Sequence, residues 1–196
     1  MATHEAMHEP EHIDYRQLGM WIFISSECIF FGTLLITFLI NKERALAAGG
    51  ELADQTTHFA IGITSTITFI LLASSLTMVL ALNAIQNDNI TMGKVWLLAT
   101  AILGSIFVGV QVYEYIELIH HGVTMTSSVF GSSFYTLTGF HGTHVFIGVI
   151  MLFITLGMTQ AGSFHSKNYV PVEIVGLYWH FVDLVWLVLF TLVYLI

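Results

Sequence analysis

The chain has 196 residues, of which 56% are hydrophobic and 9% are charged. Soluble domains carry about 25% charged residues, so this composition excludes a soluble globular protein and predicts an integral membrane protein. The net charge is −8 and there are only five lysines and arginines, which argues against nucleic acid as a partner.

Residues 1–17 are predicted to form a polar, flexible N-terminal tail. The segment is acidic and rich in histidine, and it lacks the basic start and apolar core of a signal peptide. We therefore predict that this segment is not cleaved and stays part of the mature protein. His4, His8 and His12 recur every four residues, so a helix would place all three on one face, where a metal could bind. The alternative is a solvated tail with chance spacing.

Five apolar runs follow, each long enough to cross a hydrocarbon core about 30 Å thick. The predicted fold class is an all-α membrane protein, a bundle of five transmembrane helices. The predicted helices are residues 18–40, 59–82, 93–118, 133–158 and 172–196. An odd number of spans places the two ends of the chain on opposite sides of the membrane. Three basic residues against two favour a cytoplasmic N-terminus and a C-terminus on the outer side.

Titratable side chains inside these runs are the candidate site residues. A charged group near a bilayer centre costs about 2.5–3.5 kcal/mol on insertion scales, so these side chains are expected to face the interior of the bundle. At about 1.5 Å per residue, four of them lie roughly 12–16 Å from one side of the membrane, and we expect one buried polar cluster in which Glu27 pairs with a histidine. The four are Glu27, His144, His180 and Asp183; His141 and Glu114 complete the set of buried polar candidates.

Three functions could use such a cluster. Haem iron would take histidines from different helices, and His141, His144 and His180 could supply two. A structural role would use buried carboxylate–histidine bonds to fix the helix register, and a transporter or proton relay would move protons through them. A di-iron site needs two Glu-x-x-His motifs, and the only one at a predicted helix, from Glu117 to His120, lies at the membrane interface and not in the middle of the bundle. The spacing of these residues does not decide between haem binding, a structural role and transport or proton relay. We assign no catalytic, cofactor-binding or metal-ligating residue.

Four motifs, in this order, resemble subunit III of haem–copper terminal oxidases, which oxidise cytochrome c or quinol. They are residues 21–31 (WIFISSECIFF), 113–115 (YEY), 141–145 (HGTHV) and 178–186 (YWHFVDLVW). The resemblance covers about residues 15–196, and the last motif is the most specific. It implies a non-redox subunit of a respiratory complex that reduces oxygen to water and pumps protons, located as a multi-pass protein in the bacterial plasma membrane.

The resemblance also implies the partners. Subunit I is the main contact, subunit II is a further partner, and the haems and copper belong to those subunits and not to this chain. It implies support for the stability and proton uptake of subunit I, and Glu27 stands where the family has a buried, carbodiimide-reactive glutamate. We expect the contact with subunit I to use the Ser/Thr faces of the first two helices, including Ser65 and Thr68.

The chain resembles the short, five-helix bacterial form of the family. In the long form two additional helices build one wall of a cleft that binds phospholipid. That wall is absent here or comes from another subunit, so phospholipid is expected only as a candidate ligand. The alternative function is a membrane anchor that binds haem b in another respiratory complex.

Overall fold

The computed structural model describes residues 14–47, 61–126 and 128–195, and all five helices in these ranges are long and apolar enough to cross a membrane. The predicted all-α class and the five spans are thereby confirmed. The tail histidines His4, His8 and His12 lie outside the described residues. The helices are α1 (Tyr15–Ala47), α2 (Ile61–Gln86), α3 (Ile90–His120), α4 (Val129–Gln160) and α5 (Val170–Phe190), and α5 continues into a π-helical turn, Thr191–Leu195.

The first four observed helices are longer than the apolar runs that predicted them, whereas α5 and its π-helical turn together span residues 170–195, close to the predicted 172–196. α1 continues to Ala47, seven residues beyond the predicted end at residue 40. Residues 41–47 include lysine, glutamate, arginine, leucine and alanine, which favour a helix as strongly as apolar residues do. The apolar pattern therefore marks the membrane-embedded part of each helix and not the helix ends.

The last helix occupies the centre of the bundle. α5 packs against α1, α2 and α4, while α2 packs on α3, α3 on α4 and α4 on α1. Over its most apolar stretch 56% of α5 is buried, against 11% of α1. α1 is thus the peripheral helix, and Ile22, Ile29 and Ile36 lie exposed along its outer face.

The indole of Trp179 fills a space that two glycines leave open. A Cβ atom added at Gly148 of α4 would lie 2.9 Å from the ring, and one added at Gly104 of α3 would overlap it. The indole nitrogen donates a hydrogen bond to the Ser74 hydroxyl of α2 at 3.0 Å. One side chain therefore fixes the distances from α5 to three other helices.

Trp186, two turns further along α5, repeats this arrangement. Its indole nitrogen donates to the Thr68 hydroxyl of α2 at 2.9 Å, and Thr68 is only 6% exposed. Our expectation that Thr68 faces a partner subunit is therefore wrong, because the helix-helix contact inside the chain already uses that hydroxyl. Ser65, one turn earlier, is exposed.

Two connecting segments meet at one end of the bundle. The carboxylate of Asp88, in the turn between α2 and α3, accepts hydrogen bonds from the Ser166 hydroxyl at 2.7 Å and the Ser166 backbone N–H at 2.8 Å. These bonds hold the pKa of Asp88 below its usual range. Since Ser166 lies between α4 and α5, both connections are on the same side, as an up-and-down arrangement of helices requires.

Candidate functional site: polar pairs inside the bundle

Glu27 of α1 and His144 of α4 form an interhelical pair. The His144 Nε2 and Glu27 Oε2 atoms lie 3.4 Å apart, and the two side chains are 16% and 19% exposed. His144 Nδ1 lies 2.7 Å from the carbonyl oxygen of Phe140, which can only accept, so Nδ1 carries a proton. The expected pairing of Glu27 with a histidine is thus confirmed.

His141 lies one turn away at the centre of the bundle and does not join this pair. Its side chain is fully buried. Three aromatic residues from three helices, Phe31, Phe107 and Trp186, surround its ring, and the Trp186 ring stacks on it at 5.0 Å. Within the described part of the chain neither ring nitrogen has a hydrogen-bond partner. His141 therefore acts here as an aromatic packing residue.

His180 and Asp183 of α5 meet a serine that the sequence analysis did not single out for this role. His180 Nδ1 lies 2.7 Å from the Ser75 hydroxyl of α2, and the same hydroxyl interacts with the Asp183 carboxyl group. Asp183 is 6% exposed, and its Oδ1 atom has no hydrogen-bond partner among the described residues. The abundance of serine and threonine in α2 was the available signal for such a partner.

Glu114 of α3 forms a third polar contact, near the end of the bundle. It is 5% exposed, its Oε1 atom accepts a hydrogen bond from the Thr64 hydroxyl of α2 at 2.9 Å, and the Tyr194 hydroxyl interacts with the same carboxyl group. Tyr194 reaches the interior from the π-helical turn after α5, which no apolar pattern predicts. The contact joins α2, α3 and the end of the chain.

The four residues that equal depth placed in one layer therefore do not form a single cluster. No hydrogen bond or ion pair within residues 14–47, 61–126 and 128–195 joins the Glu27–His144 pair to His180 and Asp183. His144 faces α1 and His180 faces α2, and the rings of Tyr178 and Trp179 on α5 both contact α4. Equal depth brings side chains together only when the helix faces also match.

The geometry of these polar residues indicates a role in helix-helix contact and not in a chemical reaction. Each of the three contacts joins side chains of two helices. In the described part of the chain no group of three or more His, Cys, Asp or Glu side chains could hold a metal ion. Polar side chains that hydrogen-bond across helices stabilise membrane bundles and fix their register.

The model of the family described as cytochrome c oxidase subunit III matches residues 1–196. The chain belongs to this family. As a subunit III chain it is a non-catalytic member of an oxidase complex that contains other subunits, and its central α5 carries the most specific of the motifs quoted above.

Similar proteins include subunits of two kinds of oxidase. The probable quinol oxidase subunit 3 of Staphylococcus saprophyticus is 35% identical to this subunit III over 198 residues, covering 96% of both chains. The quinol oxidase subunit 3 of Bacillus subtilis is 36% identical over 91% of this chain and 85% of that protein. The cytochrome c oxidase subunit 3 of Thermostichus vulcanus is 34% identical over 96% of this chain and 91% of that protein.

Proposed function

We propose that this chain is the non-redox subunit III of a respiratory haem–copper oxidase and supports the stability and proton uptake of subunit I. The complex would reduce oxygen to water and pump protons. The observation that carries the proposal is that the buried polar side chains of this family member bridge helices in pairs. Glu27 with His144 and Ser75 with His180 tie α1 to α4 and α2 to α5, which suits a subunit that stabilises its neighbours.

The contact with subunit I, its proposed main partner, is assigned to a groove between α1 and α5. The groove encloses about 170 Å³ and exposes almost only apolar surface. At Gly32, on its α1 side, an added Cβ would meet no atom within 4 Å, so a neighbouring helix can approach closely. Its other lining residues are Cys28, Phe31, Leu35, Phe181, Leu184, Val185, Val188 and Leu189. Subunit II is proposed as a further member of the same complex.

The haems and copper of the complex are assigned to the partner subunits and none to this chain. His180 Nδ1 is engaged by Ser75, His144 Nδ1 faces the Phe140 carbonyl, and aromatic rings surround His141. A haem-b anchor, the alternative function, needs two histidines that face each other across an open space. Phospholipid is the candidate ligand on the outer surface of the bundle.

The proposed location is the bacterial plasma membrane, with the N-terminus cytoplasmic and the C-terminal end of α5 on the outer side. Arg16, Lys94 and Lys167 lie towards the side on which α1 begins, while Lys42 and Arg44 lie towards the other. An excess of lysine and arginine on the cytoplasmic side supports this orientation.

The assembly proposal is tested by filling the α1–α5 groove. We expect Gly32→Leu to reduce the amount of subunit I that co-purifies with this chain in mild detergent, because the added side chain occupies the space of a neighbouring helix. Gly62→Leu, at another glycine with no atom within 4 Å of an added Cβ, is the matched control on α2. Equal co-purification of wild type and both variants would contradict the assignment. Oxygen consumption with cytochrome c and with quinol then identifies the electron donor.

A further inference from the structure

A second groove lies between α3 and α4, on a different pair of helices from the proposed contact with subunit I. It encloses about 360 Å³. Phe107 and Phe146 form apolar walls, and two glycines leave its floor open: an added Cβ at Gly142 would meet no atom within 4 Å, and one at Gly139 would meet only the Tyr115 hydroxyl at 3.9 Å. The groove is therefore deep because side chains are missing from α4.

Gln111 lines this groove and is 97% buried, since only 3% of its surface is exposed. Within the described part of the chain its amide oxygen has no hydrogen-bond partner. Its amide nitrogen interacts with the Tyr115 hydroxyl, which donates its own hydrogen to Thr138 at 2.7 Å, so one amide N–H also remains without a partner. A primary amide has two N–H donors and an acceptor oxygen, and the hydrocarbon region supplies no water to satisfy them.

The depth of Gln111 limits what could satisfy the amide. α3 has 31 residues, so it is about 46 Å long and extends about 8 Å beyond each face of a hydrocarbon core roughly 30 Å thick. Gln111 lies nine residues before His120, about 14 Å from that end. It is therefore roughly 6 Å inside the hydrocarbon boundary, where the polar groups of lipophilic molecules can reach it but water does not.

We propose that the α3–α4 groove binds a lipophilic molecule whose carbonyl oxygen accepts a hydrogen bond from the Gln111 amide. Rotation of the terminal amide towards the open floor at Gly142 presents its N–H groups to the groove, and the apolar walls hold the attached hydrocarbon. Two membrane components share this chemistry: the ester carbonyl of a glycerolipid and the ring carbonyl of an isoprenoid quinone. The inference does not depend on which subunit fills the α1–α5 groove.

The test uses the purified oxidase complex and two photoactivatable probes. One is a phosphatidylethanolamine with a diazirine on an acyl chain, and the other is an azido derivative of a short-chain ubiquinone. Mass spectrometry locates labelled peptides in this chain. The variants are Gln111→Leu, which removes the amide, and Gly142→Leu, which fills the floor. The controls are Gln160→Leu, at an exposed glutamine, and Gly157→Leu, at an α4 glycine with open space outside the groove.

We expect one probe to label residues of the groove in the wild-type complex and in both controls. Labelling should fall about three- to tenfold in Gln111→Leu, the factor that one lost hydrogen bond produces, and should be abolished in Gly142→Leu. The probe that labels identifies the source of the carbonyl. The proposal is overturned if neither probe labels the groove or if both variants are labelled like the wild type. It is also overturned if residues of the groove are found cross-linked to another subunit, because a protein would then occupy the groove.

Discussion

The His144 Nε2 atom of α4 lies 3.4 Å from the Glu27 Oε2 atom of α1. This contact joins the peripheral helix to the rest of the bundle at a half-buried position, and His144 has its other ring nitrogen fixed by the Phe140 carbonyl. The imidazole therefore cannot turn towards another partner without losing a bond. The pair is suited to hold α1 in place, which is a structural task.

The structural role of Glu27 is tested by two substitutions. We expect Glu27→Gln, which keeps the size of the side chain and its ability to hydrogen-bond, to leave oxygen consumption and proton pumping in liposomes near wild-type values. Glu27→Ala leaves the His144 nitrogen without a partner, at a cost of about 1–3 kcal/mol, and should loosen the complex in detergent.

The matched control for this pair is Glu117→Ala. Glu117 and His121 also lie 3.4 Å apart, but their side chains are 51% and 44% exposed, so their pairing should contribute little. If Glu27→Gln consumes oxygen but no longer pumps protons, Glu27 lies on a proton path and the structural role is wrong.

The Trp179 contact predicts that alanine substitutions at two glycines of α3 change the stability of the complex differently. Gly104→Ala places a Cβ inside the space of the Trp179 ring, and overpacking of this kind typically costs about 1–3 kcal/mol. Gly109→Ala meets no atom within 4 Å and should be neutral or slightly stabilising, because alanine favours a helix over glycine. The measurement is the thermal stability of the purified complex. Equal melting temperatures for the two variants would show that Trp179 does not fix the α3–α5 distance.

The membrane orientation is tested by cysteine labelling in a Cys28→Ala background. Met125, between α3 and α4, is 54% exposed, and the proposed orientation places it on the outer side. Ser163, between α4 and α5, lies on the cytoplasmic side. An impermeant maleimide added to intact cells should label Met125→Cys and leave Ser163→Cys unlabelled until the membrane is opened. The reverse pattern would place the N-terminus outside.

The Asp88–Ser166 contact predicts a dependence on pH at acid values only. Because the hydrogen bonds from Ser166 lower the pKa of Asp88 in the folded chain, their stabilisation is present above the ordinary value of 3.8 and is lost as the pH falls through the folded-state value. Asp88→Asn tolerates the left-handed backbone at this position, where φ is 57°, but carries no titratable group.

Thermal unfolding of the two complexes measures the difference. The wild type should exceed Asp88→Asn by a constant margin at neutral and mildly acid pH, and the margin should shrink below the ordinary pKa of 3.8. His165 and Lys167 lie close enough to lower the same pKa, so both are kept unchanged. A margin that is the same at all pH values would mean that Asp88 contributes nothing through its charge.

The assignment of all redox groups to partner subunits predicts that this chain, separated from the complex, carries no stoichiometric haem, copper or iron. Metal analysis and a Soret spectrum of the separated subunit test this. A variant lacking residues 1–13 removes His4, His8 and His12 and controls for metal bound by the tail. One metal per chain that persists in this variant would favour the haem-b anchor.

The helices were predictable because membrane insertion imposes a simple rule on composition. Runs of about 20 apolar residues must be helices in a bilayer, since an unpaired backbone is too costly there. The pairing of Glu27 followed from depth and from the cost of an isolated carboxylate. The C-terminal end of α1 did not follow, because residues 41–44 are polar and yet helical.

The separation of the polar residues into distinct contacts could not be read from spacing. It depends on how each helix is rotated about its axis, and rotation is set by packing such as that of Trp179 between Gly104 and Gly148. Thr68 is a second example: its hydroxyl was predicted to contact a partner subunit, but it accepts the hydrogen bond of Trp186 inside the chain. The role of Tyr194 required a π-helical turn that no local pattern indicates.

The central position of α5 has a consequence for biogenesis. Synthesis proceeds from the N-terminus, so the helix that contacts α1, α2 and α4 emerges from the ribosome after those three helices. Until residues 170–190 enter the membrane, Ser74 and Thr68 lack the indole donors of Trp179 and Trp186 and the glycine-lined space beside α3 and α4 is empty. A chain that stops before α5 thus leaves two hydroxyl oxygens of α2 without their indole donors and a glycine-lined space without the ring that fills it.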